Sequence, residues 1–441
     1  VEYYAADFVL VARFAEVRHR LIADAQGNEH MVYRDNSVRW LFGILLLAMV
    51  ARLGVVLTLF ADYEPVGDAI HFHIMAKNFL SGRGLIVDEA RLAYRTPVPA
   101  LYVAVIYAIS DSSVRAVQIA NIFLGVVTVW LAYDLVRRIF GVGPARWAGL
   151  FVALYPTFLL YTGQLLSETL ILLLIALALW LAWWAHNGSL IRFSLVGVVI
   201  GLAALTRQTA LPLGVLISLW ILLTRRRNWL QRLSPPLVIL VCAVLTVAPW
   251  TLRNYILLGE FVPLTSLGGV SLWIANNPTA EGTGQDYSAF PHVPELDTLP
   301  ETERGDAYQR LAIQFIEKNP LRFIKLALRR LQWFWHLGYH GEGLAEVVFL
   351  VVYLPMLGMA AIGVWKGWRL NRDAVLLLLT VPVALTAVHM VFLPAGRYRL
   401  PAELVLCMLA GIGAAWCVTA VAGSRKRQAV LAPVGEDKLL R

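Results

Sequence analysis

Leu41-Phe42-Gly43-Ile44-Leu45-Leu46-Leu47-Ala48-Met49-Val50 opens an apolar run that reaches Leu59, and close behind it stands Tyr63-Glu64-Pro65-Val66-Gly67-Asp68-Ala69-Ile70-His71. The run is long enough to stay in a membrane, which sets it apart from the short apolar core of a cleavable leader. The segment after it starts a short amphipathic helix and continues through Ser81-Gly82-Arg83-Gly84-Leu85 to Arg95-Thr96-Pro97-Val98-Pro99. An acid, a glycine turn and an Arg-x-Pro held against a membrane suit a reactive site better than a packing surface, and they single out Asp68.

The wider composition agrees. Of 441 residues, 59% are hydrophobic and 15% charged, and mean hydropathy is +0.65, which excludes an ordinary soluble domain and implies a polytopic, all-α membrane protein. The net charge of +9 does not indicate nucleic acid, because the basic residues flank apolar runs instead of forming a soluble basic face. The lipid bilayer and phosphate-bearing substrates are the expected partners. Cys242, Cys407 and Cys417 all fall inside apolar runs, and no disulfide is expected. Before the first run, Leu10, Phe14, Val17 and Leu21 share a helical face that reads as a surface helix, although Met31 leaves open whether residues 1–30 are native.

Apolar runs of spanning or near-spanning length fall at 38–60, 113–138, 145–162, 164–185, 192–206, 209–224, 234–256, 344–366, 373–393 and 398–421, which predicts ten helices. Lys and Arg in the short loops gather on one side, at Arg34, Arg39, Arg137, Arg138, Arg146, Arg192, Arg225 to Arg227, Lys366, Arg369, Arg372 and Arg425 to Arg427. That side is expected to be cytoplasmic, with both termini inside and the loops 61–112 and 257–343 outside. Pro97 to Ile109 is about 20 Å long as a helix and is expected to lie at the interface. Arg192 to Thr206 is also short, at about 22 Å, before Thr206-Arg207-Gln208 interrupts it. The preceding pair turns at Tyr161-Thr162-Gly163-Gln164, just before Glu168. Two shallow hairpins predict an outward cavity, since irregular backbone at membrane depth must line protein or water.

Ionisable groups within spans are costly and usually functional. Arg52, Asp62, Asp68, Glu168, Arg207, Arg253, His389, Arg397 and Arg399 all fall toward the outer side on this topology, and the inner half carries no comparable set. Carboxylates and arginines around one cavity suit a site that handles phosphate and needs a base. Each also has a packing explanation. Arg52 either pairs with Asp62 or faces substrate, Arg253 is either an interfacial anchor or a phosphate ligand, and Glu168 also suits a helix N-terminus. Arg397-Tyr398-Arg399 places two guanidinium groups where positive charge is disfavoured, which points to phosphate. Asp68 and His71, at i and i+3, would allow a divalent metal if a third ligand joined them; none is evident, and no cofactor is required.

With these residues in place, the chain resembles the GT-C superfamily of polyprenyl-phosphate-dependent glycosyltransferases, in the bacterial branch related to protein O-mannosyltransferases and the lipid A aminoarabinose transferase. The resemblance rests on Gly67-Asp68, Ala76-Lys77-Asn78-Phe79, Gly82-Arg83-Gly84 and Arg95-Thr96-Pro97, then the Glu168 helix, Gly201 to Arg207, Ala248-Pro249-Trp250-Thr251-Leu252-Arg253-Asn254-Tyr255, and Arg397-Tyr398-Arg399-Leu400-Pro401. It implies a GT-C-like catalytic domain over 38–421, between cytoplasmic segments 1–37 and 422–441. It further implies a polyprenyl-phosphate-linked sugar donor, an exoplasmic acceptor and a bacterial inner membrane. Asp68 would be the general base and Glu168 its catalytic partner. Arg95, Arg397 and Arg399, with Tyr398, Arg207 and Arg253, would bind substrate and phosphate. Gly268-Gly269 and Asn276-Asn277-Pro278 with Gly282 to Gly284 would form a mobile cover, held on the membrane by an amphipathic stretch over Ala307 to Trp335, or else an ordinary surface linker with an interfacial helix. The competing readings are a transporter or flippase of a lipid-linked or anionic substrate, and a carrier-lipid binder without turnover.

Overall fold

The computed structural model describes residues 38–225, 228–336 and 344–431, so the expected N-terminal surface helix, Arg226, Arg227 and the segment after residue 431 lie outside the described residues. Helix α1 (Val38–Thr58) is followed by a loop carrying α2 (Asp68–Leu80) and α3 (Pro97–Ser110). Next come α4 (Val114–Phe140), α5 (Val142–Leu154), α6 (Pro156–Thr162), α7 (Glu168–Ala185), α8 (Leu190–Thr206), α9 (Leu211–Thr224) and α10 (Trp229–Leu258). A second long loop holds α11 (Gly268–Ala275), α12 (Asp286–Ala289), α13 (Glu301–Lys318) and α14 (Pro320–Phe334), and α15 (Leu344–Leu370), α16 (Arg372–Val391) and α17 (Leu400–Leu431) close the described chain.

Helix forms at every expected run, but seven helices among the described residues are long and apolar enough to cross a membrane. The other three runs consist of shorter pieces, and each break has a local cause. Tyr155 precedes Pro156 and is extended (φ −63°, ψ 119°), which divides the run 145–162 into α5 and α6. Arg207 is extended as well (φ −149°, ψ 120°), and the turn Gln208–Ala210 joins α8 to α9. Starts are fixed by side chains at Ser113, Asn228 and Asn371, each of which accepts a backbone N–H from the first turn of its helix.

In a membrane the apolar effect between helices is weak, so close contact of small residues does the joining. Helix α17 sits among α15, α5, α16 and α7. A β-carbon on Gly363 would come 1.8 Å from the Leu409 carbonyl oxygen, and one on Gly413 would come 2.0 Å from that of Met359, so α15 and α17 touch backbone to backbone. Gly411 faces Ala148 of α5 and Gly197 faces Ile239 of α10 in the same manner.

The second loop, expected to be a mobile cover, is packed against the helices. Gly269 of α11 has no room for a side chain, because a β-carbon there would meet the Gly305 oxygen of α13 at 1.9 Å. Asn276 and Asn277 are fully buried, and Arg330 ties Asn276 to the Met390 and Val391 carbonyls at the end of α16. These residues fasten the loop to the helices. The amphipathic stretch is two helices, since Pro320 opens α14 after the break at Asn319.

Candidate active site

Gly67 adopts φ 57°, ψ −124°, a conformation that a side chain disfavours, and this turn places Asp68 as the first residue of α2. Its two carboxylate oxygens accept from different guanidinium groups, Oδ1 from Arg95 and Oδ2 from Arg397. The Arg397 Nε lies 3.9 Å from Glu168 Oε1, which also accepts from Arg207 Nη1 at 2.9 Å. Arg397 therefore reaches both acids, one in the first loop and one at the start of α7. Tyr398 supplies the wall beside them, with Arg207 4.6 Å and Arg397 5.2 Å from its ring centroid.

The expected shallow hairpins build this cluster. Arg207 follows the short α8, Glu168 follows the Gly163 turn, and the two turns meet at the Arg207–Glu168 pair. The irregular backbone at the second turn is satisfied by amides of α4. Gln118 donates to the Gly163 carbonyl at 2.8 Å, Asn121 donates to those of Thr162 and Gln164, and the Tyr102 hydroxyl donates to Asn121. Thr96 joins the arginine-bearing segments by donating to the Thr206 carbonyl at 2.8 Å. Gln118 and Asn121 stand inside an apolar run, so their polarity is the signal in the sequence that marks them. Thr96 and Thr206 carry no such signal.

Exposure separates the two acids. The Asp68 side chain is 25% exposed and that of Glu168 1%, so Asp68 alone is accessible to an incoming molecule. Burial by itself would raise the Asp68 carboxyl, but the Arg95 and Arg397 guanidinium groups, with Arg207 farther off, outweigh it and hold the group below the usual carboxylate range. His71 accepts from Arg95 at 3.3 Å; burial and the positive charges of Arg95 and Arg91 push its pKa down. Three arginines against two carboxylates leave one positive charge for a further anion.

Other expected members lie outside the cluster. Arg399 points away, pairing with Glu403 at 2.8 Å and donating to the carbonyls of Phe334 and His336, which anchors the end of α14. Arg253 donates to the carbonyls of Leu92 and Leu85 and lies over Trp250, fastening the first loop to α10. Arg52 meets neither Asp62 nor the cluster; it donates to the carbonyls of Ala48, Val152 and Ala153. The buried His389 is stacked between Phe334 and Tyr398. The opposite end of the bundle is not bare, since Asp134 is buried there against Arg137, Arg138 and Trp180, a set that satisfies itself.

No group of three His, Cys, Asp or Glu among the described residues could hold a metal ion. The residues of the pair Asp68 and His71 also fit a cation poorly, because both Asp68 oxygens and the His71 Nδ1 face guanidinium groups.

Residues 94–252 match the family model of dolichyl-phosphate-mannose-protein mannosyltransferases, a span that includes Arg95, Glu168 and Arg207. The oligosaccharyltransferase of Archaeoglobus fulgidus in its apo form aligns with a TM-score of 0.57 at 12% identity, covering 90% of this chain and 52% of that one. AglB from the same organism, in complex with an inhibitory peptide and a dolichol-phosphate, aligns at 0.55 and 14% identity, covering 91% and 53%. This chain thus spans about half the length of those archaeal enzymes. ArnT of Cupriavidus metallidurans bound to undecaprenyl phosphate aligns at 0.40 with 14% identity, covering 86% and 77%, too loosely for its ligand to bear on this chain. No curated protein matches the sequence. Residues 94–252 thus resemble that mannosyltransferase family, and the chain as a whole shares the fold of the archaeal enzymes.

Proposed function

We propose that this chain is a membrane glycosyltransferase that moves a sugar from a polyprenyl-phosphate donor to an exoplasmic acceptor, a lipid, glycan or protein, with inversion at the anomeric carbon. The observation that carries the reading is Arg397, which reaches the accessible Asp68 and the buried Glu168 at once. The dolichol-phosphate held by the archaeal AglB supports the class of donor. Loop charge supports both termini inside and the site facing out, and a bacterial plasma membrane is part of the proposal.

In the reaction, the acceptor oxygen bonds to the anomeric carbon while Asp68 takes its proton. The bond from that carbon to the phosphate oxygen breaks, and the electron pair leaves with the carrier phosphate. Arg95, Arg397 and Arg207 stabilise that growing charge in a poorly hydrated site. At rest the guanidinium groups occupy both Asp68 oxygens, which weakens the base. An arriving phosphate competes for the same donors, so donor binding frees Asp68 to accept a proton. Glu168 holds Arg207 and Arg397 in place, too buried to receive the acceptor. Tyr398 and Arg207 also line a small apolar crevice with Ile171, Ile175, Leu213 and Leu385. Arg253 and Arg399 are left to packing, and no step is assigned to a metal.

The test is transfer from a polyprenyl-phosphate-linked hexose by purified protein in lipid nanodiscs. Asp68→Asn is expected to lower kcat by roughly 10²- to 10⁴-fold, and unchanged turnover would remove Asp68 as the base. Carrier binding without any product, in the unaltered chain, would leave a carrier-lipid binder.

A further inference from the structure

The segment Leu92 to Thr96, which carries Arg95, has no helix of its own, and it is pinned from several sides. Arg253 donates to the Leu92 carbonyl at 2.6 Å, the Ser266 N–H donates to that of Ala93 at 3.1 Å, and Thr96 donates to Thr206. The strongest set of contacts comes from Glu301 in the second loop. Its Oε2 accepts the N–H groups of Leu92 at 2.6 Å and Ala93 at 3.1 Å, and its Oε1 accepts the Ser266 hydroxyl at 2.5 Å. Glu301 is 7% exposed and opens α13. An acid at a helix start is ordinarily explained by the helix dipole. Here both oxygens are used on chain from other elements, more than 200 residues away in the case of Leu92.

We infer that Glu301 is a positioning residue for Arg95: it fixes the backbone two residues before the arginine and so sets where the guanidinium meets Asp68. The inference rests on the proposed role of Arg95 in holding the donor phosphate. It gives α13 a part in building the site. Geometry carries this role, since Oε2 takes both amide protons and a glutamine side-chain oxygen has the two lone pairs to do the same. The Ser266 hydroxyl can turn to accept from the glutamine amide.

The experiment measures transfer from a polyprenyl-phosphate-linked hexose, together with binding of undecaprenyl phosphate, for Glu301→Gln, Glu301→Ala, Arg95→Ala and the double variant Arg95→Ala/Glu301→Ala in nanodiscs. Glu301→Ala is expected to lose roughly 10- to 100-fold in kcat/KM, the effect of about an ångström of misplacement, with a lower Tm from the amides left unpaired but folded protein still recovered. Glu301→Gln is expected to stay within about 3-fold, because its acceptor oxygen is retained. In the Arg95→Ala background, Glu301→Ala should cost less than about 2-fold, as two residues acting through one contact are not additive. Wild-type turnover in Glu301→Ala beside a loss in Arg95→Ala overturns this inference alone. So do losses that multiply in the double variant, or Glu301→Gln as damaging as Glu301→Ala. Wild-type turnover and binding in Arg95→Ala overturn the role of Arg95, and this inference with it.

Discussion

Arg397 holds the arrangement together, and its effect on Asp68 has a direct readout. The acidic limb of kcat/KM follows the free enzyme's base. With Arg95 and Arg397 on its oxygens, Asp68 should titrate below the ordinary value of about 3.9. Arg397→Ala is expected to move that limb upward in a pH–rate profile; a limb that stays in place would show that Asp68 is not the titrating base. The sign for stability is the same. A depressed folded value means that the pairing stabilises the fold above the unfolded pKa and is lost only as pH falls through the folded one, so neutral solutions keep all of it. At this scale the sequence was legible where depth alone marks a residue: Asp68, Glu168, Arg207 and Arg397 all stand where charge is costly, and all four meet. Depth does not disclose the partner, which is why Arg253 and Arg399 read as phosphate ligands. For Arg399 a local sign exists in Glu403, four residues on along a helix. For Arg253 the partners are carbonyls some 160 residues away, which no local pattern gives.

Among the elements, the helices follow from hydropathy and the break at Tyr155 from Pro156, whereas Pro235, Pro236, Pro249 and Pro382 lie inside α10 and α16 without ending them. The packing of α15 on α17 was less legible, because a glycine in an apolar run looks alike whether it faces lipid or a neighbour. Gly413→Val tests the contact. The added side chain must force α15 away from the Met359 carbonyl, and a loss of about 1–3 kcal/mol is expected, the usual result of overpacking. Gly54→Ala is the comparison, since nothing lies within 4 Å of a β-carbon there, and its Tm should be unchanged. Equal Tm values for the two variants would mean that the helices do not touch at Gly413. The second loop was less legible at this scale. Its glycines and asparagines suggested motion, whereas Gly269, Gly305 and Asn276 serve close packing and buried hydrogen bonds.

For the molecule as a whole, orientation is the property from which the proposed direction of transfer follows. On the proposed reading of loop charge, the Asp68 end lies outside. Glu64 is exposed near that end and Asn187 is exposed in the loop between α7 and α8. In intact cells expressing variants that lack the three native cysteines, Glu64→Cys is expected to react with a membrane-impermeant maleimide and Asn187→Cys to react only after lysis. The reverse pattern would place the site in the cytoplasm and end the exoplasmic reading. The gross fold was the most legible level, because length and apolarity decide what crosses a bilayer. Convergence of residues from four separate regions was expected from the shared side, but only the three-dimensional structure names the pairs.

The bond between Asp68 and Arg397 joins positions 329 residues apart, with nearly the whole bundle between them. A chain made from its N-terminal end inserts α1 and exposes Asp68 early, long before the arginine that completes its coordination has left the ribosome. Until α16 is in place, Asp68 has Arg95 beside it and Arg207 farther off. The finished pairing is therefore a late event in biogenesis, and a nascent or truncated chain that stops short of Arg397 lacks the group that links its two acids.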